Sequence, residues 1–217
     1  LPVQVLEDFE KRFEVKILEG YGMSEGSPVV TFNMVDFGRK PGSVGKPVWG
    51  VDVRLIDELG HDVPEGEKGE LTYRGHNVMK GYYKNPEANA VTLRDGWMHS
   101  GDIAIRDADG FYFIVDRIKD MINRGGFKVF PREVEELMMK HPAISMIAVI
   151  GVPDERLGEE VQACVVLKPN ATATENELIQ WTREKIAEYK YPRSIRFMNA
   201  LPLSATGKIL KKDIKRN

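Results

Sequence analysis

Ile103-Ala104-Ile105-Arg106-Asp107-Ala108-Asp109-Gly110-Phe111-Tyr112-Phe113-Ile114-Val115, followed by Asp116-Arg117-Ile118-Lys119-Asp120, is the stretch on which the fold turns. Two apolar runs flank Asp107-Ala108-Asp109-Gly110, a turn composition, and so predict a β-hairpin. Upstream, Val51, Val53 and Leu55 alternate with Asp52 and Arg54, the period of a half-buried strand. Pro64-Glu65-Gly66 then turns the chain into a second strand, Glu70-Leu71-Thr72-Tyr73-Arg74. Residues up to 115 therefore predict a small, mostly antiparallel β unit, β-rich from about residue 37. Downstream the pattern changes. Pro131 suits a first helical position, Glu133 and Glu135 suit a positive helix start, and Val134, Leu137 and Met138 form an apolar face. His141-Pro142 ends that helix. Residues 144–152 and 161–167 are β-rich apolar runs. Thr174 and Glu177 make a capping box for a helix carrying Leu178, Trp181 and Ile186. Ile195-Arg196-Phe197-Met198 reads as a last short strand. Helices and strands alternate here, which predicts a compact α+β domain.

The segment before the β unit is of another kind. Val5, Leu6, Phe9 and Phe13 fall at helical spacing among acids and bases. Val15-Lys16-Ile17-Leu18 reads as a short strand running into Glu19-Gly20-Tyr21-Gly22-Met23-Ser24-Glu25-Gly26, and proline and glycine then make residues 27–50 largely loop. Leu1-Pro2 is not a translation start, so the chain is expected to begin inside a larger protein.

With 217 residues, 42% hydrophobic and 29% charged, the composition is that of a globular protein able to bury a core. A formal net charge of −2 removes any bulk attraction to nucleic acid or to an anionic membrane surface. Cys164 is the one cysteine, which excludes an intrachain disulfide framework and a cysteine zinc cluster. Its apolar neighbours in Val161-Gln162-Ala163-Cys164-Val165-Val166 predict a buried, inert thiol. No apolar stretch approaches a spanning helix and no signal-peptide pattern stands at Leu1, so the expected location is cytoplasmic.

Several short motifs carry chemistry, each with a plain structural alternative. Gly20 to Gly26 is not a dinucleotide fingerprint, because Glu25 stands where the third glycine belongs. It offers instead a turn on which backbone amides, the Tyr21 ring, the Ser24 hydroxyl and the Glu25 carboxylate converge. Tyr21 can stack on a base, Ser24 can bond a phosphate oxygen, and Glu25 can hold magnesium, a cation that takes oxygen ligands beside phosphates. The alternative is a tight turn with solvated polar residues. Thr206-Gly207-Lys208 is no Walker loop, since Pro202 and Ile209 occupy the required glycine and Ser/Thr positions. Lys208 is a mobile cation or a solvated surface lysine. Asp102 can accept from sugar hydroxyls or cap a turn, and Arg117 beside Asp116 is a ligand contact or a structural ion pair. The histidines at 61, 76, 99 and 141 show no metal-ligand spacing, and three lie in loop-like sequence. Lys211, Lys212, Lys215 and Arg216 form a basic run, either a solvated helix face or a landing site for an anionic cofactor.

Taken together, these stretches resemble the adenylate-forming (AMP-binding) superfamily of acyl-CoA synthetases, luciferases and the adenylation domains of peptide synthetases. The matching residues are Gly20-Tyr21-Gly22-Met23-Ser24-Glu25, Gly69-Glu70-Leu71 with Gly81-Tyr82, Ser100-Gly101-Asp102, and Asp116-Arg117-Ile118-Lys119-Asp120. Gly125-Gly126-Phe127-Lys128-Val129 with Pro131 and Glu133-Val134-Glu135 follow, then Leu203-Ser204-Ala205-Thr206-Gly207-Lys208. Within the family the chain looks most like bacterial medium- or long-chain fatty acid–CoA ligases. The family's Ser/Thr/Gly-rich phosphate loop has no counterpart here. Ser24 stands where threonine is commoner, and Asn123-Arg124 varies among relatives and implies no substrate.

The resemblance implies an α/β and α+β architecture. Residues 1–115 would be the C-terminal portion of the large nucleotide-binding domain, a helix and strand remnant with a small antiparallel β-barrel-like subdomain. Residues 116–120 would be a hinge centred on Lys119, and 121–217 a small mobile α+β domain. The implied parent joins a carboxylic acid, such as a medium- or long-chain fatty acid, to AMP from ATP and passes the acyl group to coenzyme A. Lys208 would supply the cation, Glu25 magnesium, and Ser24 a phosphate contact. Gly20, Tyr21, Gly22 and Met23 would line the adenine side, Asp102 and Arg117 would hold the ribose, and Gly125-Gly126 would border the pantetheine path. This chain alone is expected to be inactive. Two other readings stay open: an acyl-AMP ligase or adenylation domain loading a carrier protein, and a non-catalytic binding module. The resemblance leaves oligomeric state open, a homodimer of the complete protein being one assembly it allows.

Overall fold

A computed structural model describes residues 3–205 and 207–214. The chain divides into two compact units, Leu1–Ile118 and Lys119–Asn217. Among the described residues no helix is long and apolar enough to cross a membrane.

The first unit opens with α1 (Val3–Phe13) and three two-residue strands, β1 (Gly20–Tyr21), β2 (Thr31–Phe32) and β3 (Lys46–Pro47), paired antiparallel in that order. β4 (Val51–Ile56) and β5 (Lys68–Gly75) follow, then α2 (Pro86–Thr92), β6 (Leu93–Arg94), β7 (Trp97–Arg106) and β8 (Tyr112–Arg117). All are antiparallel. β7 is the organising strand: β5 lines one edge, while β6 and β8 share the other, β6 against Trp97–Met98 and β8 against residues 102–106. Val30, Val51, Leu55, Leu71, Tyr73, Met98, Ala104 and Tyr112 form its core. The predicted hairpin is present, with Gly110 at φ +81° in the turn between β7 and β8, a region that glycine enters without penalty.

The helix expected from Val5, Leu6, Phe9 and Phe13 is present as α1, and one expectation for this unit fails. Residues 15–18 are not a strand. The Ile17 amide donates to Glu10 Oε1 at 2.7 Å and its carbonyl accepts from Arg39 Nε at 2.9 Å, so side chains satisfy the polar groups that a ladder would have paired. Arg39 also pairs with Glu10, tying this segment to α1. In α1 itself Leu6 is fully buried while Val5, Phe9 and Phe13 stay exposed, Phe9 and Phe13 packing on each other 4.5 Å apart.

The second unit contains β9 (Ile122–Arg124), β10 (Phe127–Val129), α3 (Pro131–Met138), β11 (Ile144–Asp154), β12 (Gly158–Leu167), α4 (Glu175–Arg183) and β13 (Ser194–Phe197). Its sheet runs β10-β9-β12-β11, with β13 parallel to β12 through the α4 crossover. Both faces of the β11–β12 pair are buried, which is why these strands read as near-continuous apolar runs. Ile147, Val149, Val161, Ala163 and Val165 face α3 and α4 through Val134, Met138 and Leu178. Ala148, Ile150 and Cys164 pack beneath Leu201 and Ile214. The capping box at Thr174 and Glu177 is formed as expected. Ile186 lies beyond the end of α4, yet it still packs against the same core.

Candidate functional site

The site residues of the first unit are positioned by two irregularities of the backbone. The first is the turn after β1. A Cβ added to Gly22 would stand 1.7 Å from the Pro28 carbonyl oxygen, so only glycine allows this close return of the chain. The turn closes through Val30 N to Tyr21 O at 2.9 Å and Gly26 N to Met23 O at 2.8 Å. Ser24 and Glu25 lie in its 3₁₀ turn, Ser24 exposed and Glu25 half-buried. Tyr21 and Met23 pack against the core of this unit.

The second irregularity is a bulge in β7. Between the pairs Glu70–Ile103 and Thr72–His99, Leu71 alone opposes Ser100, Gly101 and Asp102. Gly101 takes φ +70° there. Bulges of this kind re-aim side chains. Here the result is that Asp102, 5% exposed, meets residues from two distant motifs. Tyr21 Oη donates to Asp102 Oδ2 at 2.6 Å and Arg117 Nε donates to Asp102 Oδ1 at 3.1 Å. An ionised carboxylate has about four acceptor positions, so two remain after these bonds. The Tyr21 hydroxyl is driven far above its ordinary value, first by burial and then by the Asp102 charge, and stays a protonated donor. The expected alternative of an Asp116–Arg117 pair is not what forms: Asp116 Oδ1 accepts from the Arg117 backbone amide at 2.8 Å, while the guanidinium goes to Asp102.

Glu25 has its own support. Tyr82 Oη donates to Glu25 Oε1 at 2.8 Å, and that bond, with partial burial, raises the Tyr82 hydroxyl above its ordinary value. Met79 N donates to the Glu25 carbonyl at 2.8 Å, and Asn77 Nδ2 donates to the carbonyls of Gly26 and Val29 at 2.9 and 2.8 Å. Beneath the turn, the Tyr73 hydroxyl is buried with no hydrogen-bond partner. Burial and the neighbouring Glu25 charge push its ionisation up. Among the described residues no three His, Cys, Asp or Glu side chains converge. A divalent cation here would have Glu25 as its protein ligand, and a single steadied carboxylate suits magnesium, which is commonly held by one or two carboxylates plus phosphates and water.

The other candidates belong to the second unit. Ser204 N donates to the Lys208 carbonyl at 2.8 Å, Lys208 N to Ser204 Oγ at 3.1 Å, and Gly207 N to the Ser204 carbonyl at 2.9 Å. The backbone of this loop is thus fixed while the Lys208 side chain is exposed. Thr206 of the same motif lies outside the described residues. Gly125 and Gly126, at φ +58° and +90°, form the two-residue turn between β9 and β10, and Asn123 Oδ1 accepts from Gly126 N at 3.0 Å. A hairpin turn with both φ positive favours glycine, so the turn itself accounts for the pair. Arg124 is committed to Glu160 at 2.5 and 2.9 Å. The basic run is not uniformly solvated: Lys211 pairs with Glu135 at 2.8 Å, Lys212 is exposed, and Lys215 and Arg216 lie outside the described residues.

Sequence reasoning passed over Glu70, Tyr73, Tyr82 and His99 as individual residues. His99 is not in a loop but in β7, where its side chain, 10% exposed, sits 3.1 Å from Glu70. The alternation Trp97, His99 along an apolar strand was the available signal.

Comparison with known proteins places these features in a context. The family described as AMP-binding enzyme matches residues 1–83, and AMP-binding enzyme C-terminal domain matches residues 133–208. A feruloyl-CoA synthase of Amycolatopsis sp is 46% identical over 200 residues, 92% of this chain and 41% of that protein. A long-chain-fatty-acid–CoA ligase of Bacillus subtilis (strain 168) is 46% identical over 213 residues, 98% of this chain and 38% of that protein. The chain therefore spans only 38 to 41% of the length of these curated relatives. Among solved structures, ATP-bound MatB from Rhodopseudomonas palustris superposes with a TM-score of 0.92 at 34% identity, covering 97% of this chain and 42% of that one. The o-succinylbenzoate coenzyme A synthetase MenE of Bacillus subtilis, in complex with ATP and magnesium, gives 0.86 at 30% identity, covering 99% and 44%.

Proposed function

The chain belongs to the AMP-binding, adenylate-forming enzyme family, and from that premise we propose that the whole protein is an acid–thiol ligase. It activates a carboxylic acid as acyl-AMP with ATP, releasing pyrophosphate, and transfers the acyl group to the thiol of coenzyme A, releasing AMP. The observation that carries this reading is the meeting of Tyr21, Asp102 and Arg117 on one carboxylate, across sequence separations of 81 and 15 residues. Asp102 accepts the ribose hydroxyls with its remaining acceptor positions, Arg117 steadies it, and the Tyr21 ring packs on adenine. Ser24 bonds a phosphate oxygen. Glu25 holds magnesium, which supplies charge neutralisation on the phosphates when bound. Lys208 brings a cation to the oxygens where carboxylate and α-phosphate crowd negative charge. Lys119, at the junction of the two compact units, is the pivot that exchanges Lys208 for the Gly125-Gly126 turn between adenylation and thioester formation. ATP, a carboxylic acid and coenzyme A are its partners, and the cytoplasm is the location proposed for it.

A fatty acid is the substrate we favour, because two curated relatives aligned over 98 and 99% of this chain are named long-chain-fatty-acid–CoA ligases. The feruloyl-CoA synthase at the same 46% identity favours an aromatic acid as the second reading. Competing a fatty acid against an aryl-propenoic acid in one reaction separates the two.

Lys208→Ala in the whole protein tests the central role. Acyl-AMP formation should fall about 100-fold or more, the scale of losing a charge donor to the transition state, while thioester formation from supplied acyl-AMP persists. Equal loss of both steps would refute the assignment of Lys208.

A further inference from the structure

The geometry points to Glu70 as a positioning residue for nucleotide binding, acting through the β7 bulge that aims Asp102; this inference rests on the proposed ribose role of Asp102. Glu70 lies on β5 and is held at 15% side-chain exposure. Its Oε1 accepts the Gly101 amide at 3.1 Å. Its Oε2 lies 3.1 Å from His99 Nδ1. Arg94 Nη2 approaches the same ring nitrogen at 2.6 Å and stands 3.9 Å from Glu70 Oε2. One nitrogen cannot both donate to Glu70 and accept from Arg94, so the imidazole serves one partner at a time: it bonds Glu70 Oε2 when Nδ1 carries the proton, and otherwise accepts from Arg94, leaving the more distant guanidinium as the charge facing that oxygen.

Without a clasp the bulge is a weak point. Three residues stand against Leu71, of which Asp102 is still paired with Arg117 on β8, and Gly101 before it sits at φ +70° with open space where a Cβ would point. Two side chains close the loop. Ser100 Oγ donates to the Leu71 carbonyl at 2.5 Å and accepts from Asp102 N at 3.1 Å. Glu70 takes the Gly101 amide in the middle of the bulge. The carboxylate of Asp102 is therefore delivered to Tyr21 and Arg117 by a backbone held on one edge by the pairing with β8 and on the other by Glu70 and Ser100. A charged acceptor bonded to a backbone amide is among the stronger hydrogen bonds, so its removal should be felt at Asp102.

The experiment compares Glu70→Ala, Glu70→Gln, Ser100→Ala and Asp102→Ala in the whole protein, measuring KM for ATP, KM for the acid, kcat and thermal unfolding. Glu70→Ala should raise KM for ATP about tenfold, the effect of one charge-assisted hydrogen bond, with KM for the acid unchanged. Glu70→Gln, whose amide oxygen can still accept from Gly101 N, should recover most of that loss. A merely structural Glu70 would instead lower the thermal midpoint and kcat with no ATP-specific shift, and that result overturns the proposal. If Asp102→Ala raises KM for ATP while folded Glu70→Ala does not, the clasp alone is wrong. If Asp102→Ala changes nothing, the nucleotide role of Asp102 fails and takes the proposal with it. Should Glu70→Ala not fold, Ser100→Ala carries the test: an unchanged KM for ATP in that variant also overturns it.

Discussion

At the scale of single residues, the chain hydrogen-bonds two candidate carboxylates, Asp102 and Glu25, to tyrosine hydroxyls. Tyr82 is the sharpest case, because its hydroxyl bonds the carboxylate assigned to magnesium. Partners of a metal ligand typically govern metal affinity by 10- to 100-fold. Tyr82→Phe should therefore raise the magnesium concentration for half-maximal adenylation about tenfold, with the thermal midpoint nearly unchanged, as a metal titration of the activity will show. The sequence revealed Asp102 and Glu25 as candidates because charged residues in short glycine-bearing motifs stand out, and Arg117 because it lies in the charged run Asp116-Arg117-Ile118-Lys119-Asp120. It did not reveal which carboxylate Arg117 would choose. Asp116 is its neighbour in sequence, but side chains of adjacent strand residues point to opposite faces, whereas Asp102 is its register partner across β7 and β8. That choice is made by pairing, which no local pattern encodes.

At the scale of elements, what is local was legible and what is made by a partner strand was not. The Thr174–Glu177 capping box is local: Thr174 Oγ1 accepts from Glu177 N at 3.3 Å and Glu177 Oε2 accepts from Thr174 N at 2.7 Å. Thr174→Ala should cost about 1 kcal/mol, read as a lower urea midpoint. The bond from Thr174 N also holds the Glu177 carboxyl below its usual range. Its contribution is thus present above the ordinary carboxylate value and is lost as pH falls through the depressed one. α2 was missed although Asn85 caps it and Pro86 opens it, because the helix is short and buries no residue. Val15-Lys16-Ile17-Leu18 was misread for the opposite reason: its composition suits a strand, but Glu10 and Arg39 occupy the backbone groups a ladder needs. The β7 bulge is invisible in sequence, since an extra residue exists only relative to the strand it faces.

At the scale of the whole molecule, the chain divides into a unit ending at Ile118 and one beginning at Lys119. Each unit has its own core, with no residue shared between the clusters. Cys164 is fully buried in the second of these, on β12. Burial also raises its thiol above the ordinary value, so the closed state offers little nucleophile to a reagent. Labelling this chain with a thiol reagent under native conditions should proceed only as fast as the β11–β12 sheet opens, and Leu201→Ala, which thins the cover over Cys164, should speed it. The solitary sulfur is thus a clock built into one sheet: it ticks when the strands around it breathe.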